Sequence, residues 1–295
     1  MSKKHKAGFV SIIGNPNVGK STFLNSWIGE DASIVTPKSQ TTRHRIRFII
    51  NSENYQIVLS DTPGLIEPKY LLQNSMMKFL KDTLVDSDIL LLMTTIGDKI
   101  IENDDFINKI KRIKTKIFLL INKIDLVNQQ ILENEVKSWE IKLPGIKIFP
   151  ISALNNFNIK NVSKLIIKDL PYSPAFFPKD QFADKSKRFF VNEFIREQIF
   201  HKFKKEVPYS SEVVTEVFDR SKDNIIKIES TIIVERETQK GILIGKNGSS
   251  LKKVGIGARK KIENFFKIKV HLKLFVKVNK KWRTNLKKLK DFGYN

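Results

Sequence analysis

The chain has 295 residues, with 53 Lys and Arg against 31 Asp and Glu, a formal net charge of +22 and no cysteine. That length exceeds one average core and accommodates two ordinary domains, while the lack of cysteine excludes disulfides and thiolate metal sites and fits a reducing compartment. Residues 1–175 carry 24 basic against 17 acidic side chains and residues 176–295 carry 29 against 14, a net of +7 and then +15, which points to a polyanionic partner for the C-terminal part.

Compositional drift is the bland alternative, since Lys outnumbers Arg by 43 to 10. The N-terminal run FVSII is too short for a signal-peptide core. The longest apolar run, DILLLMTTI, falls well short of the ~20 residues that span a bilayer. The chain therefore reads as soluble, or at most peripheral to a membrane.

From Phe9 to about Leu170, short apolar runs (GFVSII, YQIVLS, DILLLM, KIFLLIN, KIFPIS) alternate with helix-length amphipathic spacers. Buried runs without polar alternation predict a doubly wound α/β domain around a mainly parallel sheet, assigned to residues 7–172. Residues 173–187 hold prolines and aromatics without a helical period and read as a linker that packs its aromatics. A second, α+β domain is expected over 188–280: a helix in RFFVNEFIREQIFHKFKKE, two strands joined by a turn at SKDN, a glycine loop, a basic helix and a last strand in IKVHLKLFVKV. Residues 281–295 are expected to be a basic tail.

Gly14 to Ser21, GNPNVGKS, fits the G-x-x-x-x-G-K-[ST] phosphate loop and follows a strand, the context it requires. Gly14, Asn15, Pro16, Asn17, Val18 and Gly19 form the cradle, through the backbone N–H groups of all but Pro16. Lys20 reaches the outer phosphate oxygens, Ser21 offers a hydroxyl to Mg2+, and Thr22 continues the helix. Asp61, Thr62, Pro63 and Gly64 follow the next strand, so the Asp61 carboxylate can hold the metal and the Gly64 N–H can meet a γ-phosphate. Asn122, Lys123 and Asp125 (NKID) lie at the same sheet edge. The Asp125 carboxylate can accept from N1–H and N2–H2 of guanine, which adenine cannot match. Ser152, Ala153 and Leu154 follow the next strand and can aim the Ala153 N–H at guanine O6. The chain thus reads as a GTP/GDP binder with Lys20, Thr42 and Gly64 as its catalytic residues, although Leu65 stands where a water-orienting Gln is placed in the Ras pattern.

With these elements in order, residues 7–170 resemble the translation-factor-related GTPases, and PKSQTTRHRIR (Pro37–Arg47) resembles the first switch of the Era family. That resemblance implies Thr42 as a second Mg2+ ligand, with the paired Thr41 leaving a purely structural reading open. It also implies a slow GTPase in which K+ held by Asn17 assists in place of the Gln. Gly245-Lys246-Asn247-Gly248, between a helical turn and a basic helix, is similar to the GXXG loop of a type II KH domain, which clamps a nucleic-acid backbone. Ile244, Leu251, Lys252 and Lys260 join the loop as RNA-binding candidates, and at least two of Ile242, Ile244, Leu251 and Val254 are expected in the core.

A GTPase followed by a KH domain, with VERETQK before the loop and GYN at the end, is the Era architecture. The resemblance implies binding to the 3′ end of small-subunit (16S) ribosomal RNA, a role in small-subunit assembly, and a cytoplasmic location with reported peripheral association at the inner membrane. Two other readings compete: a GTP-regulated RNA-binding module with little or no hydrolysis, and a GTPase docking on anionic membrane through its lysines.

Overall fold

The computed structural model describes residues 5–98, 104–220 and 224–294. The chain divides into two compact units: Met1–Ser33, Thr42–Glu67 and Met76–Asp184 form one, and Ile34–Thr41, Pro68–Ser75 and Lys185–Asn295 the other.

The first set of elements runs β1 (Lys6–Gly14), α1 (Lys20–Ile28), β2 (Ile46–Asn51), β3 (Tyr55–Asp61), α2 (Leu71–Val85), β4 (Ile89–Thr95), α3 (Asp104–Lys111), β5 (Lys116–Asn122), α4 (Gln129–Lys142), β6 (Lys147–Pro150) and α5 (Ile159–Asp169). The strands form one six-stranded sheet ordered β2-β3-β1-β4-β5-β6. All pairs are parallel except β2 with β3. Leu90, Leu91, Leu92 and Met93 are consecutive and all buried, because both faces of the sheet are covered and neither needs polar alternation. One cluster joins Ile13, Leu92, Leu119, Ile121 and Trp139, with Leu65 packed against it. The antiparallel edge strand β2 follows the first-switch segment, where the sequence reading placed no strand.

The expected linker is in large part a strap on this sheet. Gln56 is fully buried on β3. Its Oε1 accepts the N–H groups of Phe176 and Phe177 at 2.7 and 3.0 Å, and its Nε2 donates to the Phe177 carbonyl at 2.8 Å. Phe176 and Phe182 then set their rings against Phe9 and Phe48, at 4.9 and 5.7 Å between centroids.

The second unit contains α6 (Lys187–Lys202), α7 (Val207–Ser210), β7 (Glu212–Arg220), β8 (Ile225–Val234), α8 (Glu237–Ile244), α9 (Ser249–Phe266), β9 (Lys269–Val278) and α10 (Leu286–Asp291). Its sheet is ordered β7-β8-β9, with β7 antiparallel and β9 parallel to β8. The helix α9 buries Val254, Ala258 and Ile262, spaced at four residues on one face. The turn expected at SKDN falls mostly on residues 221–223, outside the described residues. On α6, the fully buried Arg196 is 2.8 Å from Glu193, and it donates through Nη2 to the Thr41 carbonyl. Val35 in the same segment donates its N–H to Glu197 at 3.0 Å.

The expected basic tail is folded into this unit. Trp282 is fully buried and its Nε1 donates to the Ser210 carbonyl at 2.9 Å, while the Tyr294 hydroxyl donates to Glu212 at 2.7 Å. Two aromatics with buried polar tips outweigh the lysines around them. Among the described residues no helix is long and apolar enough to cross a membrane. Trp282→Ala should destabilise the second unit by about 3–5 kcal/mol. Urea unfolding followed by circular dichroism will show its transition moved to lower denaturant; an unmoved transition would make the segment a passive tail.

Candidate nucleotide site and nucleic-acid groove

The order of the sheet places β1 between β3 and β4, so the loops after β1, β3, β5 and β6 leave one edge around the point where strand order reverses. Such a crevice at the carboxyl ends of strands is where ligands bind in open α/β sheets.

Lys20, the first residue of α1, is buried and donates through Nζ to the carbonyls of Gly14 and Asn15 at 3.0 and 2.8 Å. Burial lowers its pKa to about 8, with the carboxylates of Asp61 and Asp98 acting in the opposite sense. Asp61 ends β3 fully buried, and burial pushes its carboxyl up against the pull of Ser33, Lys20, Ser21 and Thr42. Its Oδ2 accepts hydroxyls from Ser21 at 3.1 Å, Ser33 at 2.5 Å and Thr42 at 3.4 Å. Its Oδ1 is buried without a partner. Ser21 and Thr42 are 3.2 Å apart. One carboxylate and two hydroxyls converging with an unpaired oxygen form a donor set suited to a hard cation such as Mg2+. Thr41 instead directs its hydroxyl to the Lys38 carbonyl at 2.7 Å.

Gly64 lies against the phosphate loop: a Cβ there would come within 2.8 Å of the Pro16 nitrogen. Leu65 donates its N–H to the Gly14 carbonyl at 3.1 Å and packs its side chain on the core, away from polar chemistry. Thr62 is buried and uses its hydroxyl on the Ile12 carbonyl at 2.6 Å. Val18 is buried, Thr22 half-buried on α1, and Pro16 half-buried. Asn17 is exposed at the loop's crest with φ 65°. Asn15 donates to Asp98, a carboxylate that no motif marked.

At the other end, Lys123 turns the chain with φ 63°, and the exposed Asp125 is oriented by the Ser152 hydroxyl at 2.6 Å. Asn122 donates to the Val18 carbonyl at 2.7 Å and accepts the Ala153 N–H at 2.9 Å. Ala153 was expected to offer that N–H to guanine. The buried carboxamide of Asn122 takes it instead, because its Oδ1 has no access to water. Leu154 stands exposed beside it.

In the second unit, Gly245 ends α8, and Lys246, Asn247 and Gly248 form a single turn before α9, with Lys246 and Asn247 exposed. Beside the turn runs an open groove of about 380 Å³, walled by Gly248 of the turn, by Leu251, Lys252, Gly255, Ile256 and Arg259 from α9 and by Val270, His271, Leu272 and Leu274 from β9. Of the predicted RNA residues, Gly248, Leu251 and Lys252 line it. Lys260 does not, because it is turned roughly 100° around the helix from the groove's centre line. Of the four apolar residues weighed for the core, Val254 is fully buried, Ile242 is half exposed, and Ile244 and Leu251 are intermediate. Ile256 and Arg259 were missed, although their spacing from Gly248 and Leu251 places them on one helical face.

A family model described as 50S ribosome-binding GTPase matches residues 9–123, and one described as KH domain matches residues 206–283. Curated relatives named GTPase Era include one from Staphylococcus haemolyticus, 40% identical over 99% of this chain and 98% of that protein. Another, from Alkaliphilus metalliredigens, is 44% identical over 98% and 99%. The chain belongs to the Era family of GTPases. Two solved Era structures superpose with a TM-score of 0.92 at 36% identity, covering 98% of this chain and 99% of theirs. One is Era with MgGDPNP and nucleotides 1506–1542 of 16S ribosomal RNA; the other is a point variant of Aquifex aeolicus Era bound to GDP and AlF4−. This member of the Era family is accordingly a GTP hydrolase in which a P-loop GTPase domain precedes a KH domain.

The lowered pKa of Lys20, about 8 in the free protein, sets a pH dependence. The expectation that Lys20 meets phosphates implies that they favour its ammonium, so the complex should bind more protons than the free protein above that pH and GTP affinity should fall as pH rises. Between pH 7 and pH 9 the loss should be about tenfold. Calorimetry in buffers of different ionisation enthalpy at pH 8 should show uptake of about half a proton per GTP. Zero uptake would contradict it.

Proposed function

We propose that this protein uses GTP binding and hydrolysis to capture and release the 3′ end of 16S ribosomal RNA in its KH groove during assembly of the small ribosomal subunit in the cytoplasm. The observation that carries the reading is the groove itself: a turn of exposed Lys246 and Asn247 opens onto apolar walls studded with Lys252 and Arg259. Such a surface suits a phosphate backbone held at the turn and unstacked bases laid along the walls. A relative of the same architecture is seen with MgGDPNP and an RNA of that sequence region.

On the nucleotide side, Lys20 exchanges two loop carbonyls for β- and γ-phosphate oxygens, the Gly64 N–H meets the γ-phosphate, and Asp125 selects guanine. Mg2+ is assigned to Ser21, Thr42 and Asp61, where it supplies positive charge to the transferring phosphoryl group. K+ is assigned to Asn17, an exposed residue at the crest of the loop whose carboxamide can supply an oxygen ligand. A cation there replaces the missing Gln by stabilising charge rather than by orienting water. Residues 34–41, part of the second unit and hydrogen-bonded to α6 through Arg196 and Glu197, run directly into Thr42, the residue assigned to Mg2+.

Filter binding of a short single-stranded RNA from the 16S 3′ end tests the groove. The double variant Lys246→Asp, Asn247→Asp and the single variant Arg259→Glu should each weaken binding by more than about tenfold. Lys260→Ala should leave it near wild type and lower the salt slope by at most about one unit. Wild-type affinity in the double variant would refute the RNA assignment. For hydrolysis, Leu65→Ala should stay within about tenfold of wild type, whereas Asn17→Ala, or Na+ in place of K+, should reduce phosphate release much further. Equal single-turnover rates in the two salts would remove the K+ assignment.

A further inference from the structure

Asp61 Oδ2 receives three hydroxyls, and two of them, Ser21 and Thr42, are the groups assigned to Mg2+. The third and shortest comes from Ser33, a buried residue just before the first switch that belongs to none of the nucleotide motifs. Its backbone is held differently from theirs. Asn25 on α1 donates Nδ2 to the Ser33 carbonyl at 2.7 Å and accepts the Ser33 N–H on Oδ1 at 2.8 Å. One carboxamide thereby closes both backbone groups of a single residue, and the hydroxyl is left as its one adjustable part.

A carboxylate presents about four lone-pair directions. Ser21 and Thr42 can turn their oxygens to a metal by rotation about χ1, and in doing so they release Asp61. Ser33 is not among the groups assigned to the metal and so has no cation to turn toward, while Asn25 holds its backbone where the hydroxyl meets Oδ2. Its hydroxyl is the donor that stays on Oδ2 and keeps the carboxylate plane from turning, with the unpaired Oδ1 directed away from it.

We propose that Ser33 is a positioning residue for the metal: anchored by Asn25, it holds the Asp61 carboxylate in the orientation that Mg2+ requires. The proposal rests on the assignment of Mg2+ to Ser21, Thr42 and Asp61. Groups that orient a metal's ligands typically change metal affinity by about 10- to 100-fold when removed.

The test follows release of a fluorescent GDP analogue from the full-length chain across free Mg2+ concentrations and in excess EDTA. In wild type, rising Mg2+ should slow release. In Ser33→Ala the Mg2+ concentration for half-maximal slowing should rise by about tenfold or more, with the EDTA rate unchanged within about twofold. Ser33→Thr, which keeps the hydroxyl, should recover most of the shift. Ser33→Cys preserves volume but donates weakly, so it should reproduce the alanine phenotype, and it serves if the alanine variant does not fold by circular dichroism. An unchanged midpoint in either folded variant overturns the role of Ser33, as does a rise confined to the EDTA rate, the mark of a merely structural side chain. A wild-type protein whose GDP release ignores Mg2+ would overturn the metal assignment, and this proposal with it.

Discussion

The carboxamide of Asn122 ties the phosphate loop to the loop that follows β6. It reaches the Val18 carbonyl at 2.7 Å on one side and the Ala153 N–H at 2.9 Å on the other, from the end of β5. These are buried backbone groups, and each would cost about 1–3 kcal/mol if left unpaired. The bridge also explains Gly19, whose φ is +100°: a Cβ there would lie 2.3 Å from Asn122 Nδ2. For two loops proposed to hold the base and the phosphates of one guanine nucleotide a fixed separation is needed, and one side chain on a rigid strand bridges them.

At the phosphate end the protein buries opposite charges that are each disfavoured by their surroundings. Lys20 is held below its ordinary pKa and Asp61 above its own, in both cases chiefly by burial. Phosphates beside Lys20 and a divalent cation beside Asp61, the placement proposed above, would reverse both penalties together. The side chain of Leu65 packs against the core cluster of the first unit and offers no polar group to a γ-phosphate.

The second unit shows that a strongly positive segment is not uniformly a binding surface. Lys252 and Arg259 line the groove, while Lys261, one residue beyond Lys260, is drawn to Glu197 at 2.5 Å. Lys288 is bonded to Asn279, and Arg283 pairs with Glu235. Net charge steers a polyanion toward the surface, but helical phase and local pairing determine which cations it meets.

Much of the nucleotide site was legible beforehand because its chemistry is local. A glycine loop after a strand, DTPG after another and NKID after a third each place backbone and side chain within a few residues, and parallel strands bring those ends to one edge whatever the rest of the fold does. The KH arrangement was legible for the same reason, from a glycine turn between helices flanked by strands. What stayed hidden depends on partners far apart in the chain: Gln56 with Phe176, Trp282 with Ser210, Ser33 with Asp61, and the Ala153 N–H with Asn122. A buried polar group takes whichever donor or acceptor packing brings near it, and that choice is made only when elements distant in sequence close around it. Periodicity could name the apolar face of α9, yet which side of the helix meets β9, and hence that Arg259 rather than Lys260 faces the groove, was settled by packing.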